Sequence, residues 1–152
     1  RQVGKTWLMQ EFAKEAYPRS AYVNFEDNEM LREVFAHDFD IPRIINSIQW
    51  STGVSIDEDT LIILDEIQEA PRGITALKYF AEKAPQYHVV AAGSLLGIAM
   101  HQKDSFPVGK VDFMHLYPLT FFEFLDAVGE NRMVELLMSK DWSMITMFRN
   151  KF

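Results

Sequence analysis

Apolar and polar positions alternate between two periods along this chain, and the changes of period mark its elements. In residues 6–16, Leu8, Met9, Phe12 and Ala13 recur at helical spacing with Pro18 just beyond, which predicts an amphipathic helix. Residues 21–25 follow as a strand. Helical periodicity returns over residues 28–36 and again between Pro42 and Trp50, where Ile44, Ile45 and Ile48 share a face. Leu61, Ile62, Ile63 and Leu64 form a continuous apolar run, as expected of a strand buried on both faces. Ile74, Leu77, Phe80, Ala81 and Ala84 mark the next helix, and residues 88–92 the next strand. A short helix over 95–100, an exposed polar loop over 101–107 and a last strand over 110–116, alternating Val111, Phe113 and His115, are expected to follow. Thr120 with Glu123 three residues on is the pattern of a capping box. It predicts a helix over 120–128 that Gly129 ends. A further helix covers 131–139, and Trp142, Ile145, Met147, Phe148 and Phe152 make an apolar terminal segment.

Strands alternating with helices predict an α/β fold, a mostly parallel sheet between layers of helix. The 152 residues suit one hydrophobic core, so residues 1–152 are expected to form one domain. With 48% hydrophobic and 24% charged residues the chain can fill that core, which excludes a disordered segment. The net charge of −7 leaves no general basic surface to collect nucleic-acid phosphates, so nucleic acid is not an expected partner of this segment. The absence of cysteine excludes disulfides, thiolate metal sites and cysteine nucleophiles together. No apolar run approaches the ~20 residues that span a bilayer, and the first residues do not read as a signal peptide. A cytoplasmic protein without a membrane partner is the expectation.

The chemistry-bearing residues lie at the ends of these elements. Gly4, Lys5 and Thr6 run directly into the first helix and match the second half of the phosphate-binding pattern G-x-x-x-x-G-K-[ST]. The first glycine of that pattern would fall two positions ahead of Arg1, so the chain is expected to extend upstream. In such a loop backbone N–H groups and the helix N-terminus face the phosphates, Gly4 permits close approach and Lys5 reaches the β and γ oxygens. Thr6 would bind magnesium. A G-K-T tripeptide also begins ordinary helices, and it gains weight from a second motif. Leu61, Ile62, Ile63 and Leu64 lead straight into Asp65 and Glu66, a Walker B pattern. Asp65 is the candidate magnesium holder and Glu66 the candidate base that polarises the attacking water. Ser94, after Gly93 at the end of the 88–92 strand, is placed to sense the γ-phosphate or to cap the next helix. Together these make a three-layer P-loop fold in which the strand ahead of the loop is missing.

Beyond these shared motifs, R-Q-V-G-K-T, Y-V-N-F-E-D, L-D-E-I-Q, A-A-G-S-L-L-G and F-P-V-G-K-V followed by L-Y-P-L-T-F-F-E-F-L are specific. In these the chain resembles the archaeal-type AAA ATPases that carry a DUF4143 C-terminal region, over nearly its whole length. The resemblance implies ATP and magnesium binding, slow hydrolysis and an output domain lying outside residues 1–152. Members of that family usually show Gly-Arg where this chain has Gly109 and Lys110. Lysine keeps the charge and loses the fork of donors, so a catalytic Lys110 is not expected.

Other residues carry weaker signals. Glu26 and Asp27 follow a strand and face either the nucleotide or solvent. Gln68 either orients water or caps the turn before Pro71. His37, His88, His101 and His115 lack metal-ligand spacing. Phe121, Phe122, Phe124 and Leu125 are expected to pack a core. Two functions remain open, a magnesium-dependent ATPase and a nucleotide-dependent switch module with little or no turnover.

Overall fold

Strand β2 (Thr60–Asp65) is buried at every position, and its two faces define two cores. Leu61 and Ile63 face α1 (Lys5–Ala16), where Met9 and Ala13 close over them with Ala92. Ile62 and Leu64 face the other way, into a larger cluster formed with Ala21, Val23 and Phe25 and with three helices. These helices are α2 (Glu29–His37), α3 (Ile41–Thr52) and α4 (Gly73–Lys83). The alternation is that of any strand, and a strand needs apolar side chains at every position only when both faces are covered. This is why 61–64 reads as an unbroken apolar run.

This computed structural model describes residues 3–93 and 109–147. The chain divides into two compact units, Arg1–Met114 and His115–Phe152. In the first unit β1 (Arg19–Asn24), β2 and β3 (His88–Ala91) form a parallel sheet in the order β1-β2-β3. Asn24 pairs with Asp65 and Leu64 with Ala91, so the carboxyl ends of the strands are level. The fold is α/β with helices on both sheet faces, as the sequence pattern predicts. Asn28 and Asp40 cap α2 and α3 by accepting from Leu31 N–H and Arg43 N–H, the role that favours Asn and Asp just ahead of a helix.

A short 3-10 turn (Ile67–Glu69) connects β2 to α4. Gly73 at the start of α4 packs hard against it: a Cβ there would lie 2.8 Å from the Ile67 carbonyl oxygen and 2.9 Å from Ala70 Cβ. Gly73→Ala is therefore expected to destabilise the fold by roughly 1–3 kcal/mol, the range for overpacking. A urea unfolding midpoint equal to that of the parent would show that α4 shifts freely here.

The second unit contains α5 (Phe121–Ala127), α6 (Asn131–Ser139) and α7 (Trp142–Met147). The predicted capping box is present: Thr120 Oγ1 accepts from Glu123 N–H at 3.2 Å, and Thr120 N–H donates to Glu123 Oε2 at 2.7 Å. Those bonds hold the Glu123 carboxyl below the usual range.

Two expectations are corrected. Residues 110–116 form no strand, since a strand exists only where a second one supplies its ladder, and the sheet of the described residues is β1-β2-β3 alone. Phe121, Phe122 and Phe124 are 53%, 41% and 50% exposed, and Leu125 alone of that group is buried, because a short helix turns one narrow stripe inward. The predicted 95–100 helix, the 101–107 loop and residues 148–152 lie outside the described residues.

Candidate functional site

The first helix begins on a glycine in the left-handed region. Gly4 has φ 87° and is followed by Lys5 and Thr6 as the opening residues of α1. Among the described residues no side chain caps this end, so its backbone N–H groups stay available to an anion. An L side chain at this φ is strained, and open space around the missing Cβ shows that backbone conformation, not crowding, calls for glycine here. Lys5 is half-buried and forms no ion pair with any carboxylate among the described residues.

The carboxyl end of β2 meets this helix start. Thr6 Oγ1 donates to Asp65 Oδ2 at 2.5 Å, joining the two motifs across 59 residues of chain. The Tyr22 hydroxyl donates to the same oxygen at 3.1 Å, and Glu66 N–H donates to Asp65 Oδ1 at 3.0 Å. Asp65 is 2% exposed and has no Lys or Arg partner among the described residues. A buried carboxylate met only by neutral donors is costly, and such an arrangement is common where a cation completes it. Burial first, then the Asp65 carboxylate beside it, push the Tyr22 hydroxyl up to about 12; Asp27 and Glu66 add to the effect. Tyr22 thus stays protonated and donates throughout the physiological range.

Glu66 breaks away from the strand. Its φ of 49° is left-handed, a conformation that costs a non-glycine residue roughly 1–2 kcal/mol. The turn is held from both sides, by Ile67 N–H donating to the Ala92 carbonyl and Glu69 N–H donating to that of Glu66. Gln68 Nε2 donates to Glu66 Oε2 at 2.5 Å, while Gln68 Oε1 is buried without a partner among the described residues. Gln68 therefore grips the acid beside it instead of capping the turn before Pro71.

The structure thus brings Gly4, Lys5 and Thr6 to the helix end that touches Asp65, with Glu66 next to it. Ser94 lies outside the described residues. Glu26 and Asp27 are exposed; Glu26 N–H donates to Asn24 Oδ1, and Asp27 Oδ2 accepts from Asn24 Nδ2 at 3.5 Å. Lys110 stands 3.7 Å from Glu82 Oε1, within the first unit. Tyr22 and Gln68 are the residues of this cluster whose contacts sequence reasoning missed. The signal for Tyr22 was period two: on β1 it shares a face with Asn24, the residue level with Asp65.

The donor set suits magnesium, which takes hard oxygen ligands and keeps several waters, so one carboxylate and one hydroxyl suffice beside phosphate oxygens. Among the described residues no cluster of three or more His, Asp or Glu could hold a metal by itself. A hollow of about 800 Å³ lies elsewhere, lined by Phe39, Ile45, Gln49, Tyr79 and Tyr87 among others, and includes none of Thr6, Asp65 or Glu66. Concavity alone does not mark this site. No helix among the described residues is long and apolar enough to cross a membrane.

A parallel sheet with an uncapped helix start at the carboxyl edge of its buried strand defines a nucleotide-binding domain of the P-loop, ATPase-like class. A family model described as AAA domain matches residues 1–125, and the chain belongs to that family. Comparisons with the curated proteins and with the solved structures give no match.

Proposed function

We propose that this chain is a magnesium-dependent ATPase domain, of the archaeal-type branch whose members carry a DUF4143 C-terminal region, and that hydrolysis drives an output domain outside residues 1–152. The observation that carries the reading is the 2.5 Å bond from Thr6 to Asp65, which unites a lysine-bearing helix start with the acid pair that ends β2. Gly4 and the first N–H groups of α1 receive phosphate oxygens, and Lys5 supplies a positive charge to the β and γ groups. Thr6 directs its hydroxyl hydrogen at Asp65, so its oxygen lone pairs would remain for the cation, while Asp65 would hold the cation's water. Magnesium, when bound, draws charge off the phosphate oxygens. Glu66 accepts a hydrogen bond from the attacking water, and Ser94 senses the γ-phosphate. The cytoplasm is the expected setting, and binding is measured on a chain extended upstream to supply the full G-x-x-x-x-G-K-[ST] pattern.

Asp65→Asn tests the reading. The amide retains the size of the carboxylate but loses its charge, and it offers N–H where Thr6, Tyr22 or Glu66 also donate. Magnesium-dependent ATP affinity by calorimetry is expected to fall by roughly tenfold or more. An unchanged magnesium dependence would remove Asp65 from the site.

A second reading is a switch module that holds ATP and signals by occupancy with little or no turnover. The bond from Gln68 to Glu66 favours it, since it occupies an acceptor position of the proposed base and restrains its carboxylate. Phosphate release under saturating ATP separates the two.

A further inference from the structure

We propose that Tyr22 is a positioning residue of this site, fixing from β1 the direction in which Asp65 offers its remaining lone pair to a hydrated magnesium ion. The inference rests on the nucleotide-site reading above and adds to it a residue outside both motifs. It starts from the strands. Tyr22 pairs with Ile63 and Asn24 with Asp65, so the phenol stands two residues below the acid on the sheet face that α1 covers. A tyrosine is long enough to reach up past one such step, and its hydroxyl meets Asp65 Oδ2 at 3.1 Å. Phenylalanine would cover the same surface without that contact.

The count of donors shows what the contact does. An ionised carboxylate has about four acceptor positions, two on each oxygen. On Oδ2 they are taken by the hydroxyls of Thr6 and Tyr22, and on Oδ1 one is taken by Glu66 N–H. Roughly one position is left, on Oδ1. Two donors converging on one oxygen, with the backbone N–H on the other, hold the carboxyl plane against rotation. Without Tyr22, Oδ2 regains a free position and the group can turn about its last bond. Because Thr6 stands on α1 and Tyr22 on β1, Tyr22 is the side chain that anchors Asp65 to the sheet itself. Outer partners of this kind typically change metal affinity 10- to 100-fold when removed.

The test is Tyr22→Phe in the extended chain, with the nucleotide and magnesium varied separately. ATP affinity is measured by calorimetry across a magnesium titration and again in excess chelator, alongside thermal unfolding without nucleotide. The expected result is a rise of about tenfold in the magnesium concentration that gives half of the metal-dependent gain, with the metal-free affinity unchanged. In the parent, the ring-carbon resonance of Tyr22 next to its hydroxyl, labelled with carbon-13, is expected to shift when magnesium is added to the ADP complex. A lower melting temperature with an unshifted magnesium curve would overturn the proposal, leaving Tyr22 a packing residue only. So would a magnesium-insensitive Tyr22 resonance. If the parent itself shows no magnesium-dependent nucleotide binding, the nucleotide-site reading fails and the role of Tyr22 falls with it. A parent that binds while Tyr22→Phe follows the same curve overturns the role of Tyr22 alone.

Discussion

Lys5→Ala is expected to raise the dissociation constant for magnesium-ATP by roughly 10- to 100-fold, the scale of one or two charge-assisted hydrogen bonds. Lys5 is half-buried at the start of α1 and pairs with no carboxylate among the described residues, so its ammonium is not committed elsewhere. The uncapped N–H groups behind it add the positive end of the helix dipole to the same place. Lysine acts as a compact point charge, so Lys5→Arg would not restore full affinity: a longer planar fork does not fit the space of an ammonium. Calorimetric titration of the extended parent and both variants measures this, and equal affinities would remove Lys5 from the phosphate site. The effect should also shrink for AMP, which lacks the phosphates that Lys5 is proposed to reach.

Much of this architecture is legible in the sequence because its signals are local. The unbroken run from Leu61 to Leu64 reports a strand covered on both faces, and the structure covers it with α1 on one side and α2, α3 and α4 on the other. The capping box at Thr120 and Glu123 is a four-residue device, and it forms as its spacing predicts. What stayed hidden depends on distant partners. The alternation of Val111, Phe113 and His115 resembles a strand, yet a strand exists only where a second one supplies the ladder. Phe121, Phe122 and Phe124 lie on a helix of seven residues that buries only Leu125, and which aromatic side chains are covered depends on what packs against the helix, not on their spacing within it. The contact of Tyr22 with Asp65 follows from the parallel register of β1 and β2, which no spacing within either strand encodes.

The grip of Gln68 on Glu66 was equally out of reach, because it arises from the left-handed turn at Glu66. In extended conformation side chains two positions apart share a face but stand roughly 6.6 Å apart along the strand. At φ 49° the chain doubles back, and the amide of Gln68 comes within 2.5 Å of the Glu66 carboxylate. Strain at a non-glycine residue of a proposed catalytic acid is the kind of local cost that persists where the surroundings enforce it. Here the enforcing bonds are those from Ile67 N–H to Ala92 and from Glu69 N–H to Glu66.

Glu66→Gln is expected to leave magnesium-ATP affinity close to that of the parent while slowing phosphate release by ~10²-fold or more, the range for loss of a general base. The two neighbouring acids divide because of where each points. Asp65 ends β2, bonded to Thr6 and Tyr22, and is buried, whereas Glu66 has left the strand and is half-buried. Glutamine matches the size of glutamate and can still hydrogen-bond to Gln68, so the turn should survive. What it lacks is a basic oxygen to take up charge as the water attacks. The measurement pairs calorimetry with single-turnover phosphate release on the extended chain. If Glu66→Gln releases phosphate as fast as the parent, Glu66 is not the base. Gln68→Ala sharpens the distinction between the two functional readings. A slower variant means that Gln68 orients the base; a faster one means that its amide restrains Glu66 and that the resting domain is held as a switch. A parent that releases no phosphate while binding magnesium-ATP tightly would leave the switch module as the function of this fold.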